Sequence, residues 1–160
     1  MRELLDFSRP TEGGHLEPVD LLSVLNFSIQ LLKNQGVMVN IKIINALPEA
    51  LPMIQGDQNK FQQVFVNLLL NAAQSCQQGG EITLLASEKE KSFWVGIKDN
   101  GTGIAENNLE KIFEPFYTTK APGEGTGLGL AICQRIIEES GGYIEVESDI
   151  GQGSLFKLIF

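Results

Sequence analysis

Asn67 and Asn71 stand four residues apart, and at about 100° per residue a helix would carry their amides roughly 40° from each other. Phe61, Val64, Phe65, Leu68, Leu69 and Ala72 recur around them at the offsets of an amphipathic stripe, so the asparagines fall on its shoulder and both can point into one cleft. An asparagine carbonyl is a hard oxygen ligand suited to Mg2+, which keeps several waters and takes other ligands from substrate phosphates. On this helix alone, two solvent-facing amides are an equally good reading.

Three glycine-rich segments bear on the same chemistry. Asp99-Asn100-Gly101-Thr102-Gly103 follows an expected strand directly. A buried carboxylate there can accept a hydrogen bond from an exocyclic amine such as that of adenine, although the segment alone is an ordinary turn. Gly123-Glu124-Gly125-Thr126-Gly127-Leu128-Gly129-Leu130 runs straight into an expected helix, whose free N–H groups and positive end can face anionic phosphates. It does not follow the first strand of a βαβ unit, as a dinucleotide fingerprint would, and no Walker pattern is present. Gly151-Gln152-Gly153-Ser154 reads strongly as a hairpin turn between the closing strands.

These residues must be positioned by a modest set of elements. With 160 residues, one domain with one core is expected. The net charge of -8 argues against nucleic acid, whose binding relies on lysine and arginine. Cys76 and Cys133 share no short spacing with each other or with the single histidine, His15, so two reduced cytosolic thiols are expected rather than zinc or a disulfide. No apolar run reaches the roughly 18 residues of a membrane helix; a cytoplasmic domain is expected, which leaves open a membrane anchor in a longer parent protein.

Strands are expected near Leu16–Val19, Val37–Ile44, Met53–Ile54, residues 81–88 and 93–98, Tyr143–Ser148 and Ser154–Phe160. Helices are expected from Asp20 as cap to about Gln35, from Gln58 to Cys76 and closed by Gly79-Gly80, near Asn108–Phe113, and over Leu128–Ser140. Hairpins mixed with helices point to an α+β class, a sandwich with helices on one face of a sheet.

Taken together, the segments resemble the histidine-kinase branch of the superfamily that includes DNA gyrase B, the mismatch-repair ATPase and the heat-shock chaperone ATPase. Residues 61–72 are similar to its N box, Asp99-Asn100-Gly101-Thr102-Gly103-Ile104 to its first glycine box, and Phe113-Glu114-Pro115-Phe116-Tyr117-Thr118-Thr119-Lys120 to its F box. Gly125-Thr126-Gly127-Leu128-Gly129-Leu130 resembles the second glycine box and Gly151-Gln152-Gly153-Ser154 the third. The joint occurrence in this order is far more specific than any box alone. The resemblance covers residues 15–160 and implies the two-layer Bergerat ATP-binding sandwich, its mixed sheet covered on one face by helices, and transfer of the γ-phosphoryl of ATP to a histidine.

The resemblance also implies roles. Asn71 would be the magnesium ligand and Asn67 its neighbour at the phosphates. Asp99 would accept the adenine amine, with Gly101, Gly103 and Ile104 beside the base and Ser154 near it. Residues 113–126 would form a mobile lid in which Lys120 meets phosphate charge. Gly125, Thr126, Gly127, Leu128 and Gly129 would shape the phosphate-facing turn. ATP-hydrolysing members carry glutamate at the place of Asn67, and an amide there cannot act as general base toward water. The family often has a basic or polar residue one turn beyond the second asparagine; here it is Gln74.

Residues 1–14, with Leu4-Leu5-Asp6-Phe7-Ser8-Arg9-Pro10, resemble the end of a dimerisation helix followed by a linker. That places the acceptor histidine upstream of Met1 and makes His15 incidental. The implied partners are ATP, the dimerisation and phosphotransfer helices of a homodimeric parent protein, and a response regulator.

Overall fold

The structure is a computed structural model that describes residues 16–76, 79–119 and 127–160. Asp20 opens the first described helix, α1 (Leu21–Asn34), its carboxylate accepting from Leu22 N–H at 3.1 Å. A short strand β1 (Glu17–Val19) before it pairs antiparallel with β3 (Ile54–Gly56). Asp57 caps the central helix α2 (Gln58–Ser75) in the same way, accepting from Asn59 N–H at 2.9 Å. Both caps satisfy an amide that a helix start leaves without a partner.

The main sheet is mixed and has five strands in the order β2-β4-β5-β7-β6: β2 (Lys42–Ala46), β4 (Glu81–Lys89), β5 (Ser92–Asp99), β7 (Gly153–Ile159) and β6 (Tyr143–Asp149). Only the β2–β4 pair is parallel. Alternation puts Ile82 and Leu84, Val95 and Ile97, and Phe156 and Leu158 on one face, all buried in the core, where α2 and α4 (Gly129–Glu139) pack on the sheet and α1 packs on α2. The α+β sandwich expected from the sequence is thus present. The stripe of α2 faces this layer, with Phe61, Val64, Phe65, Leu68, Leu69 and Ala72 all buried. Each such large apolar side chain contributes roughly 1.5–3 kcal/mol. Phe160 stacks on Phe93 at 5.5 Å between ring centroids and meets Phe61 edge-on at 6.2 Å.

Three boundaries differ from the sequence expectation. Val37–Asn40 form turns rather than the start of a strand, because Val37 N–H returns to Leu32 C=O and Met38 is drawn into the core. The short helix α3 occupies Glu106–Leu109, earlier than expected, with turns after it. Helix α2 ends at Ser75, where Cys76 turns extended, so Gly79 with φ +82° belongs to the following turn rather than to the helix end. Among the described residues, no helix is long and apolar enough to cross a membrane.

Strand pairing sets Asp99 opposite Ile82 on one side and Ser154 on the other. The end of β5, the start of β7 and the start of β4 therefore meet at one edge of the sheet. The C-terminal turn of α2 reaches the same edge, since Thr102 N–H donates to Ser75 C=O at 3.3 Å.

Candidate functional site

Asp99 closes β5 and is only 2% exposed. Its Oδ1 accepts from Gly101 N–H at 2.8 Å, whereas the buried Oδ2 has no hydrogen-bond partner among the described residues. Burial pushes this carboxyl above the ordinary range, while the N–H groups of Gly101 and Ser154 pull the other way. A buried acceptor left unpaired is costly, so Oδ2 fits a donor brought by a ligand.

The turn beyond it is fixed from three sides. A Cβ at Gly101 would lie 2.5 Å from the Ser75 carbonyl oxygen, and one at Gly103, where φ is +74°, would run into the Asp149 carbonyl. Only glycine fits either place, because the neighbours are backbone atoms. Asn100 locks the turn to β4: its Oδ1 accepts from Glu81 N–H at 2.8 Å, and its N–H donates to Glu81 C=O at 3.2 Å. On the third side Gly151 N–H donates to Thr102 C=O at 2.8 Å, and Ile104 N–H to Ser148 Oγ at 2.8 Å. A cleft opens between Ser75, Asn100, Gly101 and Thr102.

Along α2, Asn67 and Asn71 are half-buried, as a shoulder position requires. From Asn67 to Ser75 the axis advances about 12 Å, so one helix runs from the amides to the Asp99 turn. Asn67 Nδ2 points to Gly129 C=O at 3.5 Å. It also lies beside Cys133, whose thiol is pushed up to about 12 by burial despite the Asn67 amide. The side-chain amide of Asn71 makes no hydrogen bond among the described residues. Its backbone C=O accepts from Ser75 Oγ at 3.0 Å.

Helix α4 begins after Leu128, a residue with no side-chain acceptor, in contrast to the aspartates before α1 and α2. Such a start suits an anion. Just before it, Gly127 has φ +69° and packs on the Phe116 backbone, whose N–H donates to Gly127 C=O at 2.9 Å. Positions 116 and 127 are therefore held together. The proposed phosphate-side residues Lys120, Gly125 and Thr126, and His15 with residues 1–14, lie outside the described residues.

Among the described residues, no cluster of three or more His, Cys, Asp or Glu could hold a metal ion. A divalent cation here would depend on neutral oxygens and on the ligand's own phosphates, and the Asn71 carbonyl suits Mg2+ on those terms. The structure thus brings Asp99, Gly101, Gly103, Ile104 and Ser154 together at the sheet edge, and Asn67 against Gly129. Ser75, Asn100 and Ser148, which hold the Asp99 turn, were not singled out in the sequence. Ser148 had one visible signal, its place opposite Ser154 across the last hairpin.

Residues 56–160 match the family model described as histidine kinase-, DNA gyrase B-, and HSP90-like ATPase. The chain is 42% identical over 156 residues to the sensor histidine kinase ZraS of Escherichia coli (strain K12), covering 98% of this chain and 33% of that protein. It is similar to the nucleotide-free catalytic domain of histidine kinase ThkA, with TM-score 0.79, 29% identity, and 91% and 94% of the two chains covered. ThkA in complex with response regulator protein TrrA matches at TM-score 0.77 and 26% identity, over 99% of this chain and 45% of that one. Full-length ShkA in complex with AMPPNP matches at TM-score 0.78 and 29% identity, over 98% and 33%. The chain spans about a third of the length of the curated relatives it matches first.

Proposed function

Because the chain belongs to the histidine kinase-, DNA gyrase B-, and HSP90-like ATPase family, we propose that it is the ATP-binding catalytic domain of a sensor histidine kinase in a two-component signalling system. The observation that carries this reading is the buried, unpartnered Oδ2 of Asp99 beside a glycine turn, at one end of a helix that bears two amides.

Asp99 Oδ2 accepts a hydrogen bond from the adenine 6-amino group, and Gly101 and Gly103 let the backbone pass beside the base, with Ile104 and Ser154 at its edge. Asn71 would hold Mg2+, with Asn67 close by; when bound, the ion neutralises charge on the β- and γ-phosphates as transfer begins. Lys120 and the turn of Gly125, Thr126, Gly127, Leu128 and Gly129 meet the remaining phosphate charge. Residues 113–126 form the lid. Asn67 has no basic lone pair with which to deprotonate water, so the site favours transfer of the phosphoryl group to histidine over hydrolysis.

The acceptor histidine lies on the dimerisation and phosphotransfer helices of a homodimeric parent protein, residues 1–14 being the end of such a helix and its linker. The domain is cytoplasmic, and a response regulator receives the phosphoryl group; ThkA with TrrA is the structural parallel. The test mixes this chain with a separately produced dimerisation hairpin carrying a histidine and measures phosphohistidine with Mg-ATP. Calorimetry should show ATP binding strengthened by magnesium and GTP binding much weaker, since guanine sets a carbonyl against Asp99. Failure to bind any adenine nucleotide, or ATP hydrolysis without transfer, would overturn the proposal.

A further inference from the structure

Ser148 Oγ makes three polar contacts with a single proton to give. It accepts from Ile104 N–H at 2.8 Å, donates to Gly153 C=O at 2.9 Å, and lies 2.8 Å from Ser154 Oγ. An amide N–H only donates and a carbonyl only accepts. With the Ser148 proton committed to Gly153, the contact between the two hydroxyls is made by the proton of Ser154. Ser154 then turns only lone pairs to its other surroundings.

Ser154 is opposite Asp99 in the β5–β7 ladder, and both are buried, at 6% and 2% exposed. Side chains paired in this way are about 4.5–5.5 Å apart at Cβ, close enough for a freed Ser154 hydroxyl to rotate and donate to Asp99 Oδ2. We propose that Ser148 is a specificity-determining positioning residue: by holding the Ser154 proton, it keeps Asp99 Oδ2 open as an acceptor for the amine of the base. The inference rests on the reading of Asp99 as the adenine acceptor. Ser148 acts here through Ser154.

The experiment compares ATP with purine riboside triphosphate, which lacks the 6-amino group, both as magnesium complexes, by calorimetry on the whole 160-residue chain. The wild-type chain prefers ATP. Ser148→Ala frees the Ser154 proton to occupy Oδ2, and the preference falls by about fivefold, the worth of roughly one hydrogen bond. Ser148→Thr, which keeps the hydroxyl, retains the preference. Adding Ser154→Ala to Ser148→Ala removes the competing donor and restores it. Should the alanine variant not fold, Ser148→Cys supplies a weaker donor and acceptor of similar size and gives an intermediate ratio.

A Ser148→Ala chain that binds both nucleotides more weakly by the same factor, or keeps the wild-type ratio, overturns the inference, because a purely structural serine would behave so. A double variant that stays as unselective as the single one overturns it equally. A wild-type chain without preference for ATP instead removes the assignment of Asp99, and this inference with it.

Discussion

The Asp99 end of the site and the asparagine end are built on opposite terms. At the first, a carboxylate 2% exposed is surrounded by backbone from α2, β4, β6 and the last hairpin, and glycines fit against carbonyls with no room for a methyl group. At the second, two half-buried amides stand on α2, and Asn67 borders the start of α4, which has no side-chain cap among the described residues and where a Cβ added to Gly129 would meet Asn67 Cγ at an ordinary 3.7 Å. A base presents a fixed pattern of donors and acceptors, and a prebuilt pocket can read it. On the proposed function, phosphates bring charge and a cation with them, so the neutral amide oxygens of α2 can serve there beside the charge of Lys120. On this proposal, recognition belongs to the rigid end and chemistry to the open one.

The strongest way to break this division is Asn71→Ala. Loss of the amide oxygen should reduce phosphoryl transfer to the histidine hairpin by about a hundredfold or more, in keeping with the several kcal/mol a metal ion supplies to developing charge. The thermal midpoint should hardly move, because the side chain makes no hydrogen bond among the described residues, and adenosine should bind as before. Transfer at the wild-type rate would mean that the metal is held elsewhere.

Asp99→Asn attacks the other end and should weaken ATP binding by roughly tenfold to a hundredfold, the range of a hydrogen bond to a charged acceptor. Calorimetry with adenosine alone sharpens the point: the loss should be nearly the same without phosphates. If the penalty appears only with ATP, Asp99 acts on the phosphates and the division fails.

A smaller effect separates the glycines. Gly101→Ala forces a methyl group against the Ser75 carbonyl and should cost about 1–3 kcal/mol, the size of overpacking in a tight site. Gly129→Ala meets only the Asn67 side chain, at an ordinary 3.7 Å, in the first turn of an eleven-residue helix. It should leave stability unchanged or raise it by up to about 1 kcal/mol through helix propensity, while ATP, which needs close approach there, binds less well. Urea unfolding with and without nucleotide distinguishes the two variants. Equal destabilisation by both would show that the α4 start is as closely packed as the Asp99 turn.

How much of this was legible before the structure follows the same divide. Boxes that carry their own local logic were readable: the stripe of α2 around Asn67 and Asn71, and Asp99 at a strand end followed by glycines. Why Gly101 and Gly103 must be glycine was not readable, because the atoms that exclude a side chain belong to Ser75 and Asp149, 26 and 46 positions away in sequence. Asn100 looked like an ordinary turn residue, and its bond to Glu81 N–H exists only because β4 and β5 pair. The strand expected at Val37 failed for a related reason: an apolar run after a glycine suits a strand, but here the core takes Met38 from a turn.

The smallest expected effect is a dependence on pH that only the Asp99 end should show. Burial raises the Asp99 pKa in the folded chain above its ordinary value near 3.8. Between that value and the raised one, the native state binds more protons than the unfolded state, so this group's contribution to stability falls as pH rises through the window and is flat above it. Asp99→Asn removes the slope. Unfolding midpoints of the two chains, measured from about pH 3.5 upward, should therefore diverge in favour of the wild type toward acid. An amine donated to Oδ2 favours the ionised carboxylate, so ATP should bind the wild type more tightly as pH rises through the same window, with release of protons. Titration in buffers of different ionisation heat measures that release, and the protons of ATP's own phosphates are common to both chains and cancel in the difference. Amides do not titrate, so Asn71→Ala should keep the wild-type slope. A wild-type profile parallel to that of Asp99→Asn would mean that Oδ2 is solvated or already paired, and the rigid end would lose the open acceptor on which its selectivity depends.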